Sequence, residues 1–247
     1  MNKYYFILLS IGLSTSAISQ TWELGLFAGG AVYNGDIDVT VNNFLPQTRT
    51  VVGLFADYHF NRTWSLRGEI AYTQLYADEK KYPSSAYRQS RGYSFQTPLA
   101  ELAILPEWSP FHIGNVHFFV FGGLSLPYFN PNTNFNEPPI GDSTTPTDKL
   151  LADKQQQKPH LSLAIPAGGG VKWVISEQFV IGAELGARKT FTDYIDGISL
   201  VASPKSKDYY FFGGVTFSFL MGSNGSEGNG KGNAKFSYEG GVKCPHF

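Results

Sequence analysis

From Thr21 onward the chain alternates apolar and polar positions with a period of two, the signature of strands whose two faces meet different media. Trp22, Leu24, Leu26, Ala28 and Val32 share one face, with Glu23, Gly25, Phe27 and Tyr33 on the other. Val52, Leu54, Ala56, Tyr58 and Phe60 oppose Asp57 and His59; Trp64, Leu66, Ile70 and Tyr72 oppose Ser65, Arg67, Glu69 and Thr73. Ala100, Leu102, Ile104 and Trp108 alternate with Glu101 and Glu107, and Leu163, Ile165, Ala167, Val171 and Trp173 with Ser162 and Lys172. Phe179, Ile181, Ala183 and Leu185 oppose Glu184 and Arg188, and Phe211, Val215, Phe217 and Phe219 oppose Thr216 and Ser218. The stretch 118–128 is apolar on both faces, so alternation alone leaves its orientation open.

These eight segments run to roughly ten to sixteen residues, longer than the 5–6 usual in soluble sheets and sufficient for the roughly 9–11 that a tilted membrane strand needs. Short connectors (61–63, 109–116, 175–178) alternate with long polar ones (36–48, 78–92, 130–160, 189–208). Alternating short turns and long loops are the pattern of an outer-membrane barrel. Because lipid cannot satisfy backbone N–H and C=O groups, such a sheet must close on itself. The expected fold is therefore all-β: an eight-stranded antiparallel transmembrane β-barrel over 20–220, with long extracellular loops and a periplasmic tail over 221–247.

At eight strands the interior is only wide enough to be filled by side chains. Arg67, Glu69, Glu101, Glu107, Lys172, Glu184 and Arg188 supply both signs of charge on inward faces, which predicts a paired internal network. Trp22, Trp64, Trp108 and Trp173 fall near the short-turn ends of their strands and predict one aromatic girdle at a membrane interface.

Composition sharpens this picture. The chain carries 19 Lys+Arg against 20 Asp+Glu, which lacks the basic footprint of a nucleic-acid binder. Its single Cys excludes an intramolecular disulfide framework and a Cys-based zinc site. Residues 1–19 read as a secretory signal peptide: Lys3, a short apolar run over 4–13, and small residues at Ala17 and Ser19, with the mature chain beginning near Gln20. Candidate chemistry is sparse. His160, Ser162, Asp193 and Asp196 lie at the long-loop end without a recognisable catalytic pattern, and five scattered His give no metal-ligand spacing. Residues 225–232 (GSEGNGKG) resemble a phosphate loop but lack its final Ser or Thr and a following helix, and read as a linker. The expectation is a non-enzyme with no cofactor, no metal and no nucleic-acid partner, embedded in outer-membrane lipid.

The ending is unusual. Residues 212–219 (FGGVTFSF) look like a terminal-strand insertion signal, with Phe at 212 a departure from the expected polar residue, yet the chain continues to Phe247. Beyond a Gly-, Ser- and Asn-rich stretch at 222–233 comes AKFSYEGGVKCPHF. An unpaired Cys244 in an oxidising compartment suits an intermolecular disulfide or a reactive thiol, with Lys243 and His246 favouring the thiolate. The tail reads as a tether to a periplasmic partner.

Three stretches carry a resemblance: GAELGARKTFTDYIDGIS at 182–199, VFGGLSLPYFNP at 120–131 and KCPHF at 243–247. Through these the chain resembles the PorG-type outer-membrane barrels of the type IX secretion system in Bacteroidetes. Gly197 departs from the second acidic residue that members often have there. The resemblance implies a non-enzymatic part of the protein secretion machinery, anchoring a periplasmic lipoprotein ring to the outer membrane alongside other secretion subunits. It implies a disulfide from Cys244 to the ring lipoprotein, with Lys243, Pro245, His246 and Phe247 as the binding tail. It also marks Arg188, Thr190, Thr192, Asp193, Tyr194 and Asp196 as a loop motif. Alternatives from the residues alone are a barrel that binds an outer partner through its long loops, and an outer-leaflet lipid-modifying enzyme.

Overall fold

The computed structural model describes residues 21–35, 47–61, 63–79, 92–134, 155, 159–176, 178–197 and 208–222. Residues 1–19, read above as a signal peptide, and residues 223–247, with Lys243, Cys244, Pro245, His246 and Phe247, lie outside them. Every strand the alternation predicts is present: β1 (Thr21–Asn34), β2 (Arg49–His59), β3 (Trp64–Asp78), β4 (Ser94–Ile113), β5 (Val116–Gly122), β6 (Leu124–Phe129), β7 (Asn132–Asn134), β8 (His160–Leu161), β9 (Ala164–Val174), β10 (Phe179–Thr190) and β11 (Tyr209–Gly222). β5, β6 and β7 pair in succession with β4 and form one wall strand interrupted at Gly123 and again at Asn130 and Pro131; β8 and β9 form the next. All ladders are antiparallel, and β1 pairs with both β2 and β11, from Thr21↔Gly222 to Asn34↔Tyr209 on the β11 side. The sheet is thus a closed ring of eight wall strands, with no edge left for lipid to solvate.

Strand alternation assigns the two faces. Leu54 (60% exposed) and Ile104 (58% exposed) point outward, whereas Phe55 and Leu105 beside them are buried. Among the described residues of β4 from Trp108 to Ala100 no charged side chain faces out, and on β10 the outward face from Phe179 stays uncharged until Lys189. That apolar band covers nine residues of β4, about 26 Å along the strand and about 20 Å along the membrane normal at the usual tilt. Its height suits an outer membrane. A charge at its middle has no water to reach, so Ile104→Lys should cost about 2–4 kcal/mol. Gln74→Lys, on the exposed polar wall above the band, should be neutral. Urea unfolding in lipid vesicles measures both.

The four tryptophans stand on the outer surface at the short-turn end. Trp64 and Trp108 are cross-strand partners with ring centroids 6.0 Å apart, and Trp22 meets Tyr58 at 5.0 Å. This end is closed by tight turns. The Asn61 carboxamide oxygen accepts from the N–H groups of Thr63 and Trp64, and Ser176 Oγ accepts from those of Gln178 and Phe179.

The structure corrects three expectations. The connector at 109–116 is mostly strand: β4 runs on to Ile113 and returns at Val116, leaving a two-residue turn at Gly114 and Asn115. Gly114 has φ +57, which suits a tight hairpin turn with glycine first. The ladder slips between Trp108 and Phe111, and this bulge puts the even-numbered His112 opposite the inward-facing His117. Val32, grouped with the lipid face, is buried, as are its neighbours Ala31 and Tyr33. At the loop end, β3 and β4 stay paired up to Asp78↔Ser94, so the wall rises six residues above Tyr72. The ambiguous stretch 118–128 resolves with Phe119, Phe121 and Ser125 buried and Val120, Leu124, Leu126 and Tyr128 exposed.

Candidate functional site

The lumen is filled in storeys. Nearest the turn end, Lys172 on β9 extends its ammonium between three carboxylates: Asp57 at 2.7 Å, Glu107 at 3.0 Å and Glu23 at 3.4 Å. Beside it Arg67 on β3 engages Asp57 through Nε (2.9 Å), Glu107 through one terminal nitrogen (2.7 Å) and Glu184 through the other (2.7 Å). Further donors serve the excess of oxygen atoms: Ser218 Oγ donates to Glu23 at 2.6 Å, and His59 Nε2 lies 3.0 Å from the same carboxylate. One level up, Arg188 on β10 reaches Glu101 (3.3 Å) and Glu69 (3.6 Å) and donates to the Gly186 carbonyl at 3.0 Å. Tyr210 and Ser125 hydroxyls also donate to Glu101.

Among the described residues three cations, Arg67, Lys172 and Arg188, face six buried carboxylates. Aromatic rings complete their surroundings. The Arg67 guanidinium lies 4.3 Å from the Phe55 ring centre and that of Arg188 lies 4.0 Å from Phe212. The charges are therefore locked by multiple contacts and ring faces rather than arranged around an open path. Above them an apolar cluster that includes Phe27, Leu75, Phe95, Leu99 and Phe129 fills the outer half.

The loop following β10 covers this cluster. Ile195 and Asp196 are fully buried; the Ile195 carbonyl accepts from Thr97 Oγ1 at 2.7 Å and the Asp196 carbonyl from Thr133 Oγ1. Tyr33 directs its hydroxyl at two carboxylates, Asp208 (2.6 Å) and Asp196 (3.0 Å), and Asp208 also accepts from the Ile195 N–H at 3.0 Å. Gly197, with φ +76, occupies the left-handed region that favours glycine at the end of this lid. Tyr33→Phe removes the shared hydroxyl and should weaken the lid by about 1–3 kcal/mol. Faster proteolytic nicking of the 191–208 connection, with little change in the urea midpoint of the barrel, is the expected result.

The predicted residues among those described fall as follows. Arg67, Glu69, Glu101, Lys172 and Glu184 meet in the lumen as one network. Arg188 and Thr190, grouped with the loop motif, instead end strand β10, with Arg188 in the network and Thr190 Oγ1 bonded to the Thr192 and Asp208 carbonyls. Thr192 Oγ1 accepts from the Tyr194 N–H, Tyr194 packs edge-on to His160 at 4.8 Å, Asp196 joins the lid, and Asp193 stays half-exposed. His160 stacks on Phe129 and Ser162 donates to the Leu163 carbonyl, so both take part in local packing.

Missed by spacing were Glu23, which the network shares with Lys172 and His59, and the lid partners Tyr33 and Asp208. Inward alternation was the available signal for Glu23 and Tyr33. Sequence spacing also hid that Glu23, Asp57 and His59 bring ligand atoms within 4.8 Å of one another. The Lys172 ammonium contacts two of these three, so an internal cation already serves that group.

An apolar belt, a closed antiparallel ring and a packed ionic lumen define a small eight-stranded transmembrane β-barrel of the outer-membrane type. Within that class, the chain belongs to the family described as Domain of unknown function (DUF6089), which matches residues 2–227. No curated protein matches the sequence. Similar solved structures include Ail, the attachment invasion locus protein of Yersinia pestis, in complex with the heparin analogue sucrose octasulfate. It is 11% identical, covers 83% of this chain and 100% of its own, and has a TM-score of 0.45. A major outer membrane protein from Thermus thermophilus is 12% identical over 81% of this chain and 99% of its own, with a TM-score of 0.47. Neisserial surface protein A is 13% identical over 80% and 96%, with a TM-score of 0.42. These likenesses concern the fold alone.

Proposed function

We propose that this protein is a non-enzymatic outer-membrane component of the type IX secretion machinery, whose C-terminal tail anchors a periplasmic lipoprotein ring to the barrel. The observation that carries the reading is where the chain leaves the membrane. β1 begins and β11 ends at the girdle end, beside the short turns, so the described residues stop at Gly222 on that side. In outer-membrane barrels short turns face the periplasm, which supports a periplasmic tail whose Lys243, Cys244, Pro245, His246 and Phe247 meet a periplasmic partner. The locked lumen supports an anchor over a conduit. The resemblance at 120–131, 182–199 and 243–247 supplies the secretion system and the ring lipoprotein as the partner of a Cys244 disulfide.

The test is a crosslinked pull-down from native membranes, with and without reductant, of the unmodified chain and of Cys244→Ser. A higher-mass adduct that contains the lipoprotein, disappears with reductant and is missing from C244S is expected. Absence of any adduct from the unmodified chain overturns the disulfide.

A second reading, a barrel that binds an outer partner, is favoured by the β3–β4–β7 wall that rises above the belt with Gln74, Gln96, Asn132 and Asn134 exposed. Deleting residues 135–158 should then abolish the association while leaving the barrel inserted.

A further inference from the structure

The β4–β5 hairpin breaks the symmetry of the turn end. The turn joining β2 to β3 closes immediately before Trp64, and that joining β9 to β10 closes within a few residues of Trp173. The β4–β5 hairpin instead continues five residues past Trp108 to Ile113. That is about 17 Å along the strand and about 13 Å beyond the girdle at the usual tilt, outside the hydrocarbon. Yet its outer face presents Phe111, 57% exposed, and Ile113, 71% exposed.

One edge of this extension is also bare. β5 and β9 cover one side, through Phe111↔Phe118, Ile113↔Val116 and Val116↔Trp173. On the other side the β3–β4 ladder ends at Trp64↔Trp108, and the Ser109 N–H donates to the Thr63 carbonyl at 2.7 Å. Beyond Ser109 no strand pairs with that edge among the described residues. A short bare edge flanked by two apolar side chains is a template for strand addition.

The chain carries a segment suited to it. After β11 ends at Gly222, eleven residues of Gly, Ser, Asn, Glu and Lys (223–233) lead into AKFSYEGGV at 234–242. There Ala234, Phe236 and Tyr238 alternate with Lys235, Ser237 and Glu239, and the Gly240-Gly241 pair ends the run. Phe236 and Tyr238 have the same two-residue spacing as Phe111 and Ile113. Reach also agrees. β11 stands four wall strands from β4 in either direction around the ring, hence diametrically opposite. Eight strands spaced about 4.8 Å and tilted about 40° enclose a ring about 16 Å across. A flexible eleven-residue linker has a root-mean-square span of about 18 Å. Effective concentration is greatest when linker and span match.

We propose that residues 234–239 of this chain add as a strand to the 110–113 edge of the β4–β5 hairpin, with Phe236 and Tyr238 covering Phe111 and Ile113. The docked tail would then present residues 243–247 from a fixed place below the barrel instead of sweeping the surrounding volume. That consequence rests on the anchoring reading; the docking itself does not.

In such a strand pair His112 and Ser237 lie on the face opposite the apolar contacts. The test uses the full-length chain, purified and inserted in lipid vesicles with no other protein, in a Cys244→Ser background. H112C/S237C should form an intrachain disulfide on mild oxidation at least fivefold more than Q178C/S237C, although Gln178 lies beside the root of the tail. Adding F236S and Y238S should reduce the H112C/S237C yield to that of the Q178C pair. Equal yields in the two pairs, or a yield unaffected by F236S/Y238S, overturn the proposal. So does capture in native membranes of another protein at H112C in place of Ser237, which would give the hairpin to that partner. Because the vesicles contain only this chain, failure here leaves the anchoring reading standing, and loss of the ring adduct leaves the docking standing.

Discussion

Replacing Arg67 by methionine is expected to destabilise the barrel by about 3–5 kcal/mol, the cost of stranding buried carboxylates without their cation. Arg67 is fully buried and touches Asp57, Glu107 and Glu184 within 2.9 Å, with Glu69 at 3.8 Å. Lys172 retains a hold on Asp57 and Glu107, but among the described residues Arg67 alone is ion-paired with Glu184. The loss should therefore be partly reversed by neutralising Glu184: the double variant R67M/E184Q should be more stable than R67M, although E184Q alone is mildly destabilising. Arg67→Lys should fall between, because a single ammonium nitrogen cannot occupy the three separate positions from which Nε and the two terminal nitrogens of the guanidinium reach Asp57, Glu107 and Glu184. Urea titrations in vesicles, read by tryptophan fluorescence and by the mobility of unheated samples on gels, give all four values. An R67M barrel that unfolds at the unmodified midpoint would show that the network contributes nothing to stability.

The second large effect concerns closure. Gly29 and Gly214 are cross-strand partners in the β1–β11 ladder that joins the first and last strands. A Cβ at Gly29 would collide with the Gly213 carbonyl oxygen, and one at Gly214 with that of Ala28. Both clashes are with backbone, which cannot rotate away, so the strands must separate. Gly214→Val should leave a chain that is made and exported but gives no folded, heat-modifiable form. Gly68→Ala is the control, because a Cβ there meets nothing within 4 Å. A folded G214V barrel with ordinary urea resistance would refute the assignment of this pair to the closing seam.

The lumen repeats this use of glycine in another way. The Phe121 ring occupies the space that side chains at Gly168 and Gly186 would fill, lying 2.6 and 2.7 Å from where their Cβ atoms would stand, and the Phe55 ring does the same over Gly25. Large rings and absent side chains thus interlock between neighbouring wall strands, which explains how a narrow interior holds arginines and phenylalanines together.

How much of this is legible in the residues differs by element. Trp64 to Tyr72 reads as a lipid-facing strand because its two faces are separated by strict alternation, a property set by each peptide unit's own geometry. The stretch 118–128 does not, because Phe119 and Phe121 are as apolar as the lipid-facing Val120 and Leu124; they lie inward to meet glycines and cations from nearby strands. The extended hairpin to Ile113 reads as a connector because Ser109 and Pro110 resemble a turn, and the bulge between Trp108 and Phe111 absorbs them within the strand. For the network, inward-facing Arg67, Glu69, Glu101, Glu107, Lys172, Glu184 and Arg188 are visible in the alternation, but which of them pair is not.

What the sequence determined by itself was therefore local and periodic: eight amphipathic strands, their outward faces, the tryptophan girdle and the placing of short turns against long loops. Each follows from side chains alternating across a strand and from lipid's inability to solvate a polar face. What only the tertiary structure decided was the pairing across the lumen: Lys172 with Glu23, 149 residues away, Arg67 with Glu184, 117 away, and Tyr33 with Asp208, 175 away. Those contacts depend on the stagger by which the ring closes, and that stagger is a property of all eight strands at once, carried by the glycine seam and the register of each ladder rather than by any one segment.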